Sequence, residues 1–439
     1  MLNVDKIVHA KWLLTCDNEE CLIDHALVVD KGIIKDILPF ATAHTLYLAK
    51  EVLSYPDHAI LPGFINTHTH LAMNYFRGLA DDLALMNWLN HHIWPAEKAW
   101  VGAEFVKDAS LFAMAEMIRS GTTCFNDMYF FLHDTASAAE IAGIRAFIGI
   151  TVIGFPTAWA QNTDEYIQKG LAFHDQYAQH PLINATFAPH AIYTESDASL
   201  IKVGKLAQQH GLKVNMHIQE TEGEVRDSLA KTNKRPLQRL DEMGLVNPDL
   251  IAVHMTQINE EDMAIIEAKK PNIVHCPESN MKLASGTCPV THLLKADINV
   301  ALGTDGAASN NDLDMISEMR SAAFLAKLSN LNPESLPTHT ALKMATINGA
   351  KALGIDKITG SLSKTKSADF IAINLDEIET LPLYHPESQI IYAAGKHQVT
   401  DVWVAGKQLM RNRQLLTIDE TAIKEKAKRW ASKIKQTDS

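Results

Sequence analysis

The sequence predicts an α/β protein: a (β/α)₈ TIM-like barrel with a small β-sandwich domain built from both chain ends. Three observations predict it. Eight short apolar runs alternate with longer helix-like stretches from about residue 59 to 305. Strand-like runs joined by turn residues occupy both ends of the chain. No GxGxxG follows the first run, which counts against an open doubly wound sheet.

Residues 1–58 hold ALVVD and GIIKDIL and are expected to form the first part of the small domain. The barrel is expected over 59–360. Its first four strands read as FINTH (64–68), TTCFND (122–127), RAFIGI (145–150) and NATFAPH (184–190). KVNMH (213–217), LIAVH (250–254), NIVHC (272–276) and NVALGTD (299–305) follow. Such runs suit strands buried on both faces, as in a parallel sheet covered by helices. Between them GAEFVKDASLFAMAEMIRS and DASLIKVGKLAQQHG carry helical spacing, the second ending at a glycine suited to a C-cap. Eight such units over roughly 250 residues make a closed barrel. Residues 361–439 return to strand character in ADFIAIN and DVWVAGKQL, with Ala-Gly-Lys as a hairpin turn. Isolated hairpins are marginal, so the two ends are expected to pair into one β-domain. TAIKEKAKRWASKIKQ then reads as a closing amphipathic helix with a solvated basic face.

Size and composition agree. A chain of 439 residues exceeds one compact domain, which favours a large domain plus a smaller one. The 46% hydrophobic and 21% charged residues argue against extended disorder. The net charge of −12, with no clustered Lys and Arg in the motif regions, argues against a nucleic-acid partner. Five scattered cysteines (Cys16, Cys21, Cys124, Cys276, Cys288) without a CxxC pair point to reduced thiols in a cytoplasmic protein. No signal peptide and no membrane span are expected.

The chemistry starts at PGFINTHTH, residues 62–70. His68 and His70 are two apart, so on an extended backbone both rings face one side and can share an ion. Imidazole nitrogen suits zinc, and the pair falls at the C-terminal end of the first barrel strand, where barrel enzymes build their sites. An isolated HxH is weak. Later strands strengthen it, because His190, His217, His254 and Asp305 end strands four, five, six and eight. In a closed barrel those ends converge on one mouth.

PGFINTHTH, HIQE, HCPESNMKLASG and GTDGAASNN together resemble the amidohydrolase superfamily, specifically its 5-methylthioadenosine/S-adenosylhomocysteine deaminase branch. The resemblance covers nearly the whole chain, including the GSL…SADFIAI return near 360–373. It implies that His68, His70, His217 and Asp305 hold the metal, leaving one position open for water as a catalytic site requires. Dinuclear relatives carry a carboxylated lysine at the end of strand four. His190 stands there instead, so one divalent ion is expected, zinc first, with iron or manganese compatible with the same ligands.

The resemblance also implies roles. Glu220, three residues beyond His217, protonates the purine ring nitrogen. Asp305 takes the proton of the metal-activated water, and His254 orients that nucleophile. Glu97, in HHIWPAEKAW, accepts from the ribose hydroxyls, and His190 contacts the substrate near the reacting centre. The segment 71–100 is rich in aromatics (Tyr75, Phe76, Trp88, Trp94) placed to cover a base or to anchor the core.

One departure matters. Some relatives use arginines after strand three for the carboxylate of S-adenosylhomocysteine, but ITVIGFPTAWAQ (150–161) has none, and Arg145 precedes the strand interior. The expected activity is therefore hydrolytic deamination of methylthioadenosine and adenosine, ahead of S-adenosylhomocysteine, to inosine-type products and ammonia. Guanine or pterin deamination and triazine dechlorination are the alternatives with a similar metal cage, and Glu97 discriminates, since free bases have no ribose. A non-catalytic metal-binding homologue is the alternative of another class. The cytidine-deaminase signature, HxE with PCxxC, is absent. The partner is thus a small purine nucleoside, with no nucleic acid and no membrane; a homo-oligomer is left open.

Overall fold

The computed structural model describes residues 1–18 and 20–435. Its central sheet has eight parallel strands, each paired with its sequence neighbour. They are Phe64–Thr69, Thr122–Asp127, Arg145–Val152, Ile183–Pro189, Val214–Ile218, Leu250–His254, Asn272–His275 and Val300–Leu302. Nearly every residue in them is buried, which is why the runs are apolar rather than alternating.

Seven strands keep within two residues of their readings, and the eighth, read as 299–305, differs most. It stops at Leu302, because the chain leaves the ladder to close the barrel against strand one. Thr304 N–H donates to Asn66 Oδ1 at 3.0 Å, and Asp305 N–H donates to His68 O at 3.1 Å. Closure is tight: a Cβ on Gly303 would stand 2.9 Å from both N and O of His68, so only glycine fits.

Helices cover the barrel. Ala103–Arg119 and Asp197–His210 match the two helical readings. Ser196 caps the latter by accepting from Ser199 N–H, and Gly211 ends it in the left-handed region at φ 65°.

Both chain ends build a second eight-stranded sheet. The long strand Tyr47–Pro62 joins them, running parallel to Leu2–Leu14 and antiparallel to Phe370–Asn374. The hairpin Val399–Val404 to Lys407–Arg411 turns at Ala405 (φ 48°) and Gly406 (φ 73°), the two positive φ values a two-residue hairpin needs. Lys407, read as part of the turn, begins the next strand.

Arg145 ties this sheet to the barrel. Its Nε and Nη2 both reach Asp369 Oδ2, at 3.1 and 2.8 Å, with side-chain exposures of only 5% and 0%. Arg145 opens its strand, at the end opposite the mouth, so it is not a substrate residue. Removing one partner of such a pair strands the other charge in a dry junction. Arg145→Met should therefore cost about 3–5 kcal/mol of stability. Denaturant unfolding measures this, and Arg145→Met with Asp369→Leu should recover part of the loss.

The closing helix Glu420–Lys435 docks on Ala103–Arg119. Asp108 accepts from Lys426 at 2.6 Å and from Trp430 Nε1 at 3.1 Å, while Arg429 reaches Glu104 at 3.0 Å. The basic face read as solvated is thus partly paired, with Trp430 as its buried anchor. Gln436, the last residue of that stretch, lies outside the described residues. No helix among the described residues is long and apolar enough to cross a membrane.

Candidate metal centre and active site

The strand ends meet at one rim, where His68, His70, His217 and Asp305 form a single cluster. His68 Nε2 lies 3.1 Å from His217 Nε2, and His70 Nε2 lies 3.3 Å from the same atom. Asp305 Oδ1 stands 3.4 Å from His68 Nε2 and 3.1 Å from His70 Nε2. Ligand atoms that share one ion at zinc distances stand roughly 3–3.5 Å apart, so these separations fit one small divalent cation.

Second contacts aim the rings. His70 Nδ1 meets Met128 O at 2.7 Å and His217 Nδ1 meets His190 O at 2.8 Å. Each Nδ1 donates its proton outward, so that Nε2 is the nitrogen turned towards the cluster. Burial pushes His68 down to about 4 and His217 well below its usual range, which keeps both rings neutral and able to ligate. Burial would lower His70 too, but the hydrogen bond and charge of Asp305 outweigh it and push it up to about 9. Burial would raise Asp305, yet its bonds to His68 and His70 hold it well below the usual carboxylate range. This donor set accommodates positive charge. The four side chains make a divalent-metal site, and zinc fits it. Among the described residues no second cluster of this kind occurs.

A cavity opens above the cluster, lined by Trp88, Trp94, Glu97, His190, Glu220 and His254 among others. Glu220 Oε2 is 3.8 Å from His254 Nε2. Burial raises the Glu220 carboxyl, with His254 opposing. Its backbone is held on both sides: Glu220 N–H donates to Glu224 Oε2 at 2.9 Å and Thr256 Oγ1 donates to Glu220 O at 2.7 Å. Glu97 comes from the short helix Trp94–Trp100, and Tyr129 donates to its Oε1 at 2.7 Å. Burial pushes Glu97 up to about 7. His190 sits beside His217, ring centroids 5.0 Å apart, and burial lowers it to about 3.

All eight residues singled out from the sequence therefore surround one space. Of the four aromatics, Trp88 and Trp94 line it, whereas Tyr75 and Phe76 pack on Phe105 in the core. Three polar residues had no assigned role. Ser279 and Ser309 each donate to Asp305 Oδ2 at 2.7 Å, and Asn280 Oδ1 lies 2.8 Å from His254 Nδ1. Their motifs, HCPESN and GTDGAASNN, were visible, but no spacing rule says which neighbouring strand end a loop side chain will reach.

The barrel, its end-built companion sheet and this one-metal rim define a class, metal-dependent barrel hydrolases. The chain belongs to the amidohydrolase family, whose model matches residues 59–409. Within it, the chain is 45% identical over 432 residues to a protein of Teredinibacter turnerae named 5-methylthioadenosine/S-adenosylhomocysteine deaminase, covering 98% of each. A protein of the same name from Saccharophagus degradans is 47% identical over 431 residues, covering 98% of this chain and 97% of that one. Among solved structures, an adenosine deaminase from Xanthomonas campestris with bound zinc superposes with a TM-score of 0.98 at 46% identity, covering 99% of each chain.

Proposed function

We propose that this protein is a hydrolase of C–N bonds that deaminates adenosine-type nucleosides to inosine-type products and ammonia. The observation that carries it is one cavity holding a four-ligand metal cluster, the Glu220–His254 pair and Glu97. The divalent ion, when bound, lowers the pKa of water towards neutrality and so supplies the nucleophile for purine C6. Asp305 takes the proton that water loses. Glu220, whose pKa burial raises above the ordinary carboxylate value, gives a proton to the ring nitrogen as C6 is attacked. His254 holds the attacking oxygen in line, His190 flanks the reacting centre, and Glu97 accepts from the ribose hydroxyls.

Methylthioadenosine and adenosine rank above S-adenosylhomocysteine in this reading. The wall after strand three presents Ile153 to the cavity, and no arginine lies within 150–161 to meet an amino-acid carboxylate. We assign the site to a barrel domain of residues 59–360, braced by a small domain of 1–58 and 361–439. Five free cysteines suit a reducing cytoplasm, and a net charge of −12 gives no hold on a polyanion.

Ammonia release from zinc-quantified protein tests the reading on methylthioadenosine, adenosine, S-adenosylhomocysteine and guanine. Activity confined to guanine rejects it. Glu97→Gln weakens a charge-assisted contact worth about 1.5–3 kcal/mol, so kcat/KM for nucleosides should fall about 10- to 150-fold. Equal loss on a free base and on nucleosides would remove Glu97 from the ribose.

A further inference from the structure

Strand seven lies between strands six and eight, and the short helix Pro277–Lys282 that follows it sits over the rim between their ends. Successive residues on a helix point about 100° apart. Two consecutive side chains here reach in different directions, one to each neighbour. Ser279 donates to Asp305 Oδ2 at the end of strand eight, and Asn280 meets His254 Nδ1 at the end of strand six. Both are essentially fully buried. The backbone at both targets is in the left-handed region, φ 72° at His254 and 61° at Asp305, so neither side chain is aimed by regular strand geometry.

We propose that Ser279 and Asn280 are positioning residues that set in register Asp305, which takes the water proton, and His254, which orients the attacking oxygen. Asn280 Oδ1 accepts the Nδ1 proton of His254, which fixes the tautomer and leaves Nε2 to face Glu220 and the substrate. Ser279, with Ser309, engages Asp305 Oδ2 and so presents Oδ1 to His68 and His70. A single helical turn thereby couples the orientation of a metal-binding carboxylate to that of the imidazole opposite. The Asn280 Nδ2 group has no protein hydrogen-bond partner, so its amide is held by the His254 contact rather than by a wider network. The inference rests on the roles of His254 and Asp305 proposed above.

The test uses full-length, zinc-loaded protein with methylthioadenosine as substrate. Asn280→Leu should lose about 100-fold in kcat, with KM within about threefold and zinc content unchanged. Asn280→Asp keeps an acceptor at the same place and should stay within about tenfold of wild type. Ser279→Ala should release zinc to a competing chelator about tenfold more readily, with Ser309 limiting the loss. Ring ¹⁵N resonances, assigned through His254→Asn, should show the proton on Nδ1 in wild type and Asn280→Asp, and not in Asn280→Leu.

Normal turnover in Asn280→Leu, or equal losses in Asn280→Leu and Asn280→Asp, overturns the proposal. So does a wild-type spectrum with the proton on Nε2, which decides the matter even where a variant does not fold. Full turnover in His254→Asn instead sinks the catalytic role of His254, while the tautomer still judges the positioning by Asn280.

Discussion

Glu220→Gln should leave a folded, zinc-replete protein whose kcat has fallen about 10²–10⁴-fold. Glutamine keeps the size of the side chain, and the backbone on either side is tied independently of it, through Glu224 and Thr256. The substitution therefore removes proton exchange without moving the loop. Glutamate suits the exchange proposed for it because burial raises its pKa above the ordinary carboxylate value, which favours the protonated form the step requires. KM should change little, since the contribution appears in the transition state rather than in binding. Steady-state kinetics with metal analysis on the same sample measures this. A variant that deaminates within tenfold of wild type, with zinc bound, would show that the proton comes from elsewhere.

Stripping the ion should abolish turnover and lower the unfolding midpoint, and zinc should restore both. The ligands come from strands one, five and eight and the turns beyond them, so an ion held between them links segments more than 200 residues apart in sequence. An ion that binds only the folded chain stabilises it by mass action, by about 4 kcal/mol at a thousandfold excess over Kd. Asp305 adds to the effect, because its carboxylate is buried and its charge faces the cluster. Thermal unfolding with chelator, with added zinc, and in His217→Ala gives the comparison. His217→Ala should lose both the activity and the response of the midpoint to zinc. Chelated, metal-free protein that turns over at the wild-type rate would end the account.

The histidines at strand ends were legible because a parallel barrel imposes one rule on every strand: buried apolar run, then functional residue at its C-terminal end. TTCFND and LIAVH needed no adjustment at all. Asp305 was legible as a residue but not as a geometry. Its reading as the end of a regular strand missed that the chain leaves the ladder after Gly303, so that Thr304 and Asp305 bond to strand one and close the barrel. Arg145 shows the opposite case. Its charge was visible, and its partner Asp369, 224 residues on, was not. The closing helix was read correctly as amphipathic, yet the pairing of Lys426 and Trp430 with Asp108 depended on a neighbour found only by folding.

The order and character of the strands, the residues that end them, and the absence of a bridging lysine were properties of the chain alone, since they arise from local periodicity and residue chemistry. The folded structure decided which ring nitrogens point inward, which serines hold Asp305, and where Asn280 reaches. Those depend on contacts across the rim between segments distant in sequence, and a linear pattern carries no information about distance once the barrel has closed.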